Sequence, residues 1–396
     1  MIEQHDVVIV GGGPAGLAVA EPLARRGLSV LVCERNARIG LPVRTSGGSW
    51  QDALRELALP EHLWHPISRL SFHSRHAHSA IEWGEGVGCA LDVTATWRHL
   101  AALARDAGAS IETGTLARPR RTGELSLRSG AASRTVRCRL AVDATGTSSL
   151  LARSAGVHCG FERVGVGYER ELSAPRFPQN EAMIMVGGLA PSGYAWAFPR
   201  GGSRVRVGVG VIQPDTDASP RELYAPVEQV LAPRLEGAEL LELHSGRIPS
   251  QEAPSRLTGD GLLVVGDSGG HSNPLLGEGI RHVIAAARRA APIAITALER
   301  PGVVPVERLR AWESAGRRTR GRSWGLAMRA NRYVAGMDDR DWDRAVEMLG
   351  RLPTDVVTAV LRGDILSLPL MAGALGRRPG AAWRVLRPFV VGGVAT

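Results

Sequence analysis

The chain has 396 residues, 44% hydrophobic and 22% charged, enough for two or three domains around a sizeable core. Its 48 basic residues outnumber 39 acidic ones, giving a formal charge of +9, and every basic residue is arginine. Four dispersed cysteines (Cys33, Cys89, Cys138, Cys159) form no C-x-x-C pair, which argues against a disulfide framework or a zinc site and for a reducing cytoplasm.

The first predicted element, Val7 to Val10, is an apolar run that reads as a buried parallel strand and leaves no room before it for a signal peptide. It meets Gly11, Gly13 and Gly16 in G-x-G-x-x-G spacing, and a helix is predicted from Pro14 through Ala15 to Arg26. A second strand, Ser29 to Cys33, ends on Glu34, 18 residues past Gly16, and Arg35 follows. Each part has a physical role. Gly11 makes the tight turn, Gly13 lets the backbone approach a pyrophosphate, and Gly16 permits close helix–strand packing. The helix N-terminus faces the phosphates and Glu34 accepts from a ribose. The pattern predicts a dinucleotide-binding unit.

Further along, residues 97–108 form a predicted amphipathic helix carrying Arg98. Short strands follow at Ser110–Glu112, Leu125–Leu127 and Val136–Cys138, and Leu140–Asp143 leads into Ala144, Thr145 and Gly146. Residues 163–255 change character: the alternation Arg204-Val205-Arg206-Val207 and the Pro/Gly breaks predict a separate antiparallel sheet. The parallel-strand pattern returns at Leu262–Val265, and a long helix is expected from Gly279 to about Leu298. Beyond Pro301 the chain reads as helical and arginine-rich. Arg317, Arg318, Arg320, Arg322, Arg329 and Arg332 cluster near Trp324, and Arg377, Arg378, Arg384 and Arg387 near Trp383. A solvated basic face is the plainer reading, and contact with an anionic membrane surface the second. No nucleic-acid motif accompanies the charge, and no apolar run reaches the ~18 residues of a membrane span.

Gly266-Asp267 follows the returning strand, so Asp267 is expected at the carboxyl edge of the sheet, where a polyol hydroxyl such as the ribityl chain of FAD would bind. Gly277 and Gly279, before Ile280, open a helix whose free N–H groups can stabilise an anionic reduced flavin. Tyr194, Trp196 and Phe198 alternate and so share one face of a strand: an apolar wall for a hydrophobic substrate, or plain core.

These segments, with Ile39-Gly40-Leu41-Pro42-Val43-Arg44 and Asp143-Ala144-Thr145-Gly146, resemble the FAD-dependent oxidoreductases that include the geranylgeranyl reductases. The element Tyr194-Ala195-Trp196-Ala197-Phe198-Pro199 followed by Gly208 and Gly210 is similar to that family's Y-x-W-x-F-P…G-x-G pattern. The late Val360-Leu361-Arg362-Gly363-Asp364 segment is similar to its helical tail. The resemblance implies an α/β fold: a Rossmann-like FAD-binding domain (1–162 and 256–300), an inserted antiparallel β-sheet substrate domain (163–255) and a C-terminal helical region (301–396). Residues 60–90 are a candidate contribution to the substrate sheet.

It also implies reduction of carbon–carbon double bonds in an isoprenoid or other apolar substrate, with NAD(P)H or a small carrier visiting transiently, since only one dinucleotide fingerprint is present. A flavin monooxygenase or a redox-neutral cyclase is the rival chemistry on this scaffold. Cofactor contacts are expected from the fingerprint residues and from Arg44, Arg98, Asp143, Gly146, Gly266, Asp267, Gly277, Gly279 and Ile280. Two departures stand out. Thr45 occupies the place of a cysteine that related prenyl reductases carry near the flavin, so either proton delivery comes from elsewhere or the chemistry differs. Val93 follows Asp92 where relatives often place arginine, which makes Arg98 the substitute candidate. Thr45, His271 and Glu278 are the candidate catalytic groups, with a plain hydrogen-bonded loop residue as the favoured alternative for His271.

Overall fold

In the computed structural model, residues 2–363 are described, with the backbone alone for 318–323. The second basic cluster (Arg377, Arg378, Arg384, Arg387, with Trp383), Asp364 and the side chains of Arg318, Arg320 and Arg322 therefore lie outside the described residues.

Runs without polar alternation make strands buried on both faces, and Val7, Val8, Ile9, Val32 and Val142 have no exposed surface. They build a sheet in the order Thr258–Gly259, Leu262–Val264, Ala132–Asp143, Glu3–Val10, Val30–Cys33, Ser110–Glu112. All neighbours except the first pair run parallel. The strands expected at Val136–Cys138 and Leu140–Asp143 are one twelve-residue strand, whose first half also pairs with Glu124–Ser129. Register decides where the site lies. Val10 stands opposite both Cys33 and Asp143, and Asp143 opposite Val264, so the four strands end level. Gly11, Glu34, Ala144 and Val265 leave the sheet together at its carboxyl edge, the usual ligand position of open α/β sheets.

Helix Pro14–Arg25 packs between Val93–Asp106 and Ile280–Leu298. Helix Val93–Asp106 starts four residues before the expected Trp97, because Asp92 caps it by accepting from the Ala95 N–H at 2.9 Å.

The second sheet has seven strands, in the order Glu239–Pro249, Val164–Ser173, Arg204–Gln213, Tyr194–Gly201, Glu181–Met185, Arg69–His73, His78–Glu82. Two strands thus come from outside the 163–255 insert, and Arg69–His73 pairs parallel to Glu181–Met185. Helix Pro220–Leu231 covers one face, where Leu172, Val205, Val207 and Val209 join Tyr224 and Val227 in a core. By the two-residue period of a strand, Gly167, Glu169, Arg206, Gly208 and Gly210 project to the other face.

The tail helices Arg310–Ala335, Asp339–Leu349 and Thr354–Arg362 follow. Val346, Leu352 and Val357 of the tail pack with Leu70, Phe72 and Ile81, closing the outer end of the second sheet. Among the described residues, no helix is long and apolar enough to cross a membrane.

Candidate active site

A single cavity of about 2210 Å³ runs from the carboxyl edge of the parallel sheet to the uncovered face of the second sheet and on to the tail helices. Ordinary small-molecule pockets reach ~1,000 Å³, so there is room for a dinucleotide and a second ligand together.

At the first end the wall is backbone. Gly11 adopts φ +113°, and a Cβ there would collide with the Ala144 carbonyl. Gly16 packs against the Gly11 carbonyl with equally little room. Gly13, in contrast, would meet nothing within 4 Å, because its missing side chain faces the cavity ahead of the helix N-terminus. That open cradle, one side chain wide at a helix N-terminus, fits the pyrophosphate of a dinucleotide. Glu34 accepts from the Gly12 N–H at 2.7 Å and the Asn36 N–H at 2.8 Å, which fixes its carboxylate at the cavity edge. Pro14, Arg35, Arg44, Thr45, Gly146, Asp267, Gly277, Glu278, Gly279 and Ile280 also line the cavity.

At the second end, Tyr194, Trp196 and Phe198 share one face of their strand and line the cavity, with ring centroids 5.7 and 6.4 Å apart. The Tyr194 hydroxyl donates to the Leu276 carbonyl at 2.6 Å, tying this wall to the Gly277–Gly279 loop. Burial pushes that phenol up to about 12.

Comparisons with known proteins agree with this layout. Residues 6–191 match the FAD dependent oxidoreductase family, and residues 166–248 the geranylgeranyl reductase catalytic domain. Digeranylgeranylglycerophospholipid reductase 2 of Methanothermobacter thermautotrophicus is 30% identical over 87% of this chain and 92% of its own. The chain belongs to the geranylgeranyl reductase family. Digeranylgeranylglycerophospholipid reductase 1 of Methanopyrus kandleri is 32% identical over 75% of this chain and 82% of its own. A geranylgeranyl bacteriochlorophyll reductase-like protein of Thermoplasma acidophilum superposes with a TM-score of 0.84, covering 98% of this chain and 100% of that one; at 22% identity it speaks to the fold. This reductase-family protein is an FAD-dependent oxidoreductase, and the Gly13 cradle and fixed Glu34 suit that cofactor.

Several residues expected at the cofactor sit one layer behind it. Asp143 is fully buried and does not reach the cavity. Its carboxylate accepts from the Thr145 N–H and hydroxyl, the Ala152 N–H and the Ser268 hydroxyl, at 2.7–3.0 Å, and so shapes the turn carrying Gly146. Ala15, Gly16 and Gly266 are also behind the wall. A Cβ on Gly266 would stand 2.6 Å from that of Ala15, so these small residues let the two motifs close on each other. Arg98 is exposed and outside the cavity: with the helix starting at Val93, its neighbour Trp97 turns to the lining and Arg98 to solvent.

The candidate catalytic groups also separate. His271 does not line the cavity; it is buried, with Nδ1 2.9 Å from the Gly266 carbonyl and its ring stacked on Trp312 at 5.4 Å. Glu278 does line it. Burial raises its carboxyl pKa, although Arg281 Nε contacts both oxygens at 2.9 and 2.8 Å. Burial likewise raises Asp267, against the opposing hydrogen bond from the Ser272 hydroxyl. Thr45 lines the cavity beside Arg44 and Ser46 but carries no group that titrates near neutrality.

Sequence reasoning missed a polar cluster on the second sheet. Trp196, Gly208, Glu169 and His244 stand in register across four adjacent strands. A Cβ on Gly208 would collide with the indole, so the glycine lets Trp196 lie across its strand. Trp196 Nε1–H then donates to Glu169 Oε2 at 2.6 Å, and His244 Nδ1 lies 2.8 Å from Glu169 Oε1. In the next row, Arg206 Nε donates to Glu171 at 2.9 Å and Arg206 Nη1 to the Ser46 carbonyl at 2.9 Å. Glu171, Glu242 and His244 bring ligand-type atoms within 4.8 Å of one another, but Arg206 and Arg204 already pair with Glu171, so the cluster reads as ion pairs. The signal was available: Glu169 and Glu171 continue the inward parity of Gly165 and Gly167.

Proposed function

We propose that this protein reduces carbon–carbon double bonds in the isoprenoid chains of a lipid, at the junction of the FAD cradle and the aromatic wall. The carrying observation is the continuous cavity of about 2210 Å³, polar and backbone-lined at the cradle and apolar where Leu70, Phe72 and Tyr194 meet Trp342 and Leu361 of the tail. A long hydrocarbon gains ~0.8 kcal/mol per buried CH₂ in such a place. The curated relatives are named as reductases of digeranylgeranylglycerophospholipids, which makes a polyprenyl lipid the first substrate to test.

The bound, reduced flavin supplies the electron pair for the double bond. Gly11 to Pro14 would hold the pyrophosphate, Glu34 the adenosine ribose and Asp267 the ribityl chain, and the Gly277–Ile280 helix start would serve the ring system. Tyr194, Trp196 and Phe198 exclude water from the alkene and align it. NAD(P)H or a small carrier would supply the flavin's electrons in a transient visit. The lipid substrate brings the protein to a membrane surface through exposed arginines of helix Arg310–Ala335 such as Arg317 and Arg329; flotation with anionic but not neutral vesicles is the expected result, and equal recovery with both would remove this part of the reading.

The deciding experiment is anaerobic. Reduced holoenzyme is mixed with a polyprenyl lipid, and the product is expected to gain two hydrogens as the flavin reoxidises. Reoxidation only by oxygen, with oxygen-18 appearing in the product, would replace the reductase with a monooxygenase.

A further inference from the structure

The double-bond reduction proposed above needs a proton as well as an electron pair, and Thr45 has no acidic hydrogen to give near neutral pH. The second sheet holds a connected set of titratable groups that runs from solvent to the cavity. Glu242 is half exposed, with 48% of its side chain open to water. Its Oε2 lies 3.0 Å from Nε2 of His244, which is only 3% exposed. His244 Nδ1 lies 2.8 Å from Glu169 Oε1, and both His244 and Glu169 line the cavity. These are three groups with two hydrogen-bond contacts, one end wet and the other beside the aromatic wall.

We propose that Glu169 is the catalytic proton donor to the alkene, recharged from solvent through His244 and Glu242. One alkene carbon takes the proton from the Glu169 carboxylic acid, forming a C–H bond as the O–H bond breaks. The other carbon takes a hydrogen and the electron pair from the reduced flavin. Glu169, left as carboxylate, regains its proton from Nδ1–H of the neutral His244 ring as Nε2 takes one from water by way of Glu242, and a turn of the imidazole then brings its remaining N–H back to face Glu169.

The surroundings suit this traffic. Trp196 Nε1–H holds Glu169 Oε2 at 2.6 Å, so the acid is clamped to the residue that forms the centre of the substrate wall. The groups facing the relay are Glu169 and Glu171 on one neighbouring strand, Arg204 and Arg206 on the next, Arg200 beyond them, and Glu242 on the histidine's own strand. Arg206 lies 3.8 Å from Glu169 and 2.9 Å from Glu171, compensating the second buried carboxylate. Burial opposes a charged His244, but its hydrogen bonds to Glu169 and Glu242 outweigh this and raise its pKa. The cluster also touches the departure it would compensate. Arg206 Nη1 binds the Ser46 carbonyl, and Gly246, two residues beyond His244, lies against the Arg44 carbonyl where any side chain would collide. The residues on either side of Thr45 therefore touch the strands that carry the relay.

Three variants test this: Glu169→Gln, His244→Asn and the surface change Glu242→Gln, which has little reason to disturb folding. In Glu169→Gln holoenzyme, anaerobic oxidation of the reduced flavin by the alkene should slow about 100-fold or more, while FAD content and the rate of flavin reduction by dithionite hold. The alkene-dependent rate of wild type should fall as pH rises through the His244 titration, and His244→Asn should lose that inflection. A second readout needs no turnover: the His244 imidazole titration by NMR should lie above the ordinary 6.5 in wild type and move down in Glu242→Gln. Unchanged alkene rates and pH profiles in both Glu169→Gln and His244→Asn would overturn the relay, as would a His244 titration at or below 6.5. Should wild type itself reduce no alkene, the functional reading fails, and the NMR titration decides the relay alone.

Discussion

The dinucleotide cradle and the substrate sheet are built on opposite principles. In the cradle the ligand-facing atoms are backbone, and the important side chains are missing ones: Gly11, Gly13 and Gly16 act by having no Cβ. In the sheet the important atoms are side chains, Trp196, Glu169, His244 and Arg206, brought into rows by strand pairing. Glycine serves the sheet too, but there it makes room for a neighbouring side chain, as Gly208 does for Trp196. A cradle of backbone is specified within 30 residues of chain, whereas a row of side chains needs four strands drawn from residues 164 to 249.

The comparison can be broken first inside the cradle. Gly11→Val forces φ +113° on a branched residue and drives its Cβ into the Ala144 carbonyl, so loss of soluble folded protein is expected. Gly13→Val has open space and an ordinary φ of −81°. It should keep the wild-type melting temperature yet lose about 100-fold or more in FAD affinity by titration, equivalent to ~2.8 kcal/mol. If both valines behaved alike, the division between a packing glycine and a ligand glycine would be wrong.

In the sheet, Trp196→Ala removes a large buried ring and should cost about 3–5 kcal/mol by denaturant unfolding. Trp196→Phe keeps most of the ring and loses only the N–H to the buried Glu169, for which ~1–3 kcal/mol is expected. Equal losses in the two would mean that burial of the ring contributes nothing beyond the hydrogen bond, and no loss in Trp196→Phe that the hydrogen bond contributes nothing. Gly208→Ala should fall in the same 1–3 kcal/mol range by displacing the indole, and Gly210→Ala, where the nearest indole atom would be 3.3 Å away, should cost less.

A pH series sharpens the contrast further. His244 has a folded pKa raised above its unfolded 6.5, so its contribution is fully present below 6.5 and is lost as pH rises through the folded value. Glu171 is held below its usual 4.5: burial raises it, but Arg206, Arg200 and Arg204 prevail. Its contribution is therefore present above 4.5 and lost as pH falls through the folded value. The cluster should stabilise most between about 4.5 and 6.5. Melting curves of wild type minus His244→Asn should show that difference shrinking above this window; a constant difference would mean that His244 does not titrate. The smallest effect is expected for Arg98→Ala, on the solvent side of its helix, with FAD affinity and stability within ~0.5 kcal/mol of wild type.

Much of the fold was legible because its signals are local. The Val7–Gly16 run, Glu34 and Gly266–Ile280 each declare a strand, a turn and a helix within a few residues, and the level strand ends at Val10, Cys33 and Asp143 follow from parallel pairing. Errors came where one residue's direction depended on a distant partner. The missing arginine at Val93 points to Arg98, but the Asp92 cap starts the helix early and leaves Arg98 on the solvent side. The sequence points to Asp143 as a ligand contact, but Thr145, Ala152 and Ser268 already engage its carboxylate. For His271 the loop-residue reading is the one the structure shows, with Nδ1 on the Gly266 carbonyl and the ring stacked on Trp312, 41 residues away in the chain.

The sequence by itself determined the cradle, the two kinds of sheet and the aromatic alternation, since each is a matter of φ, period and side-chain size over short spans. Only the tertiary structure decided which polar groups meet. Glu169 lies 27 residues from Trp196 and 75 from His244, and no local pattern states that the three share a row. Strand order and register brought them together, because a shift of one residue in a strand sends every side chain to the opposite face.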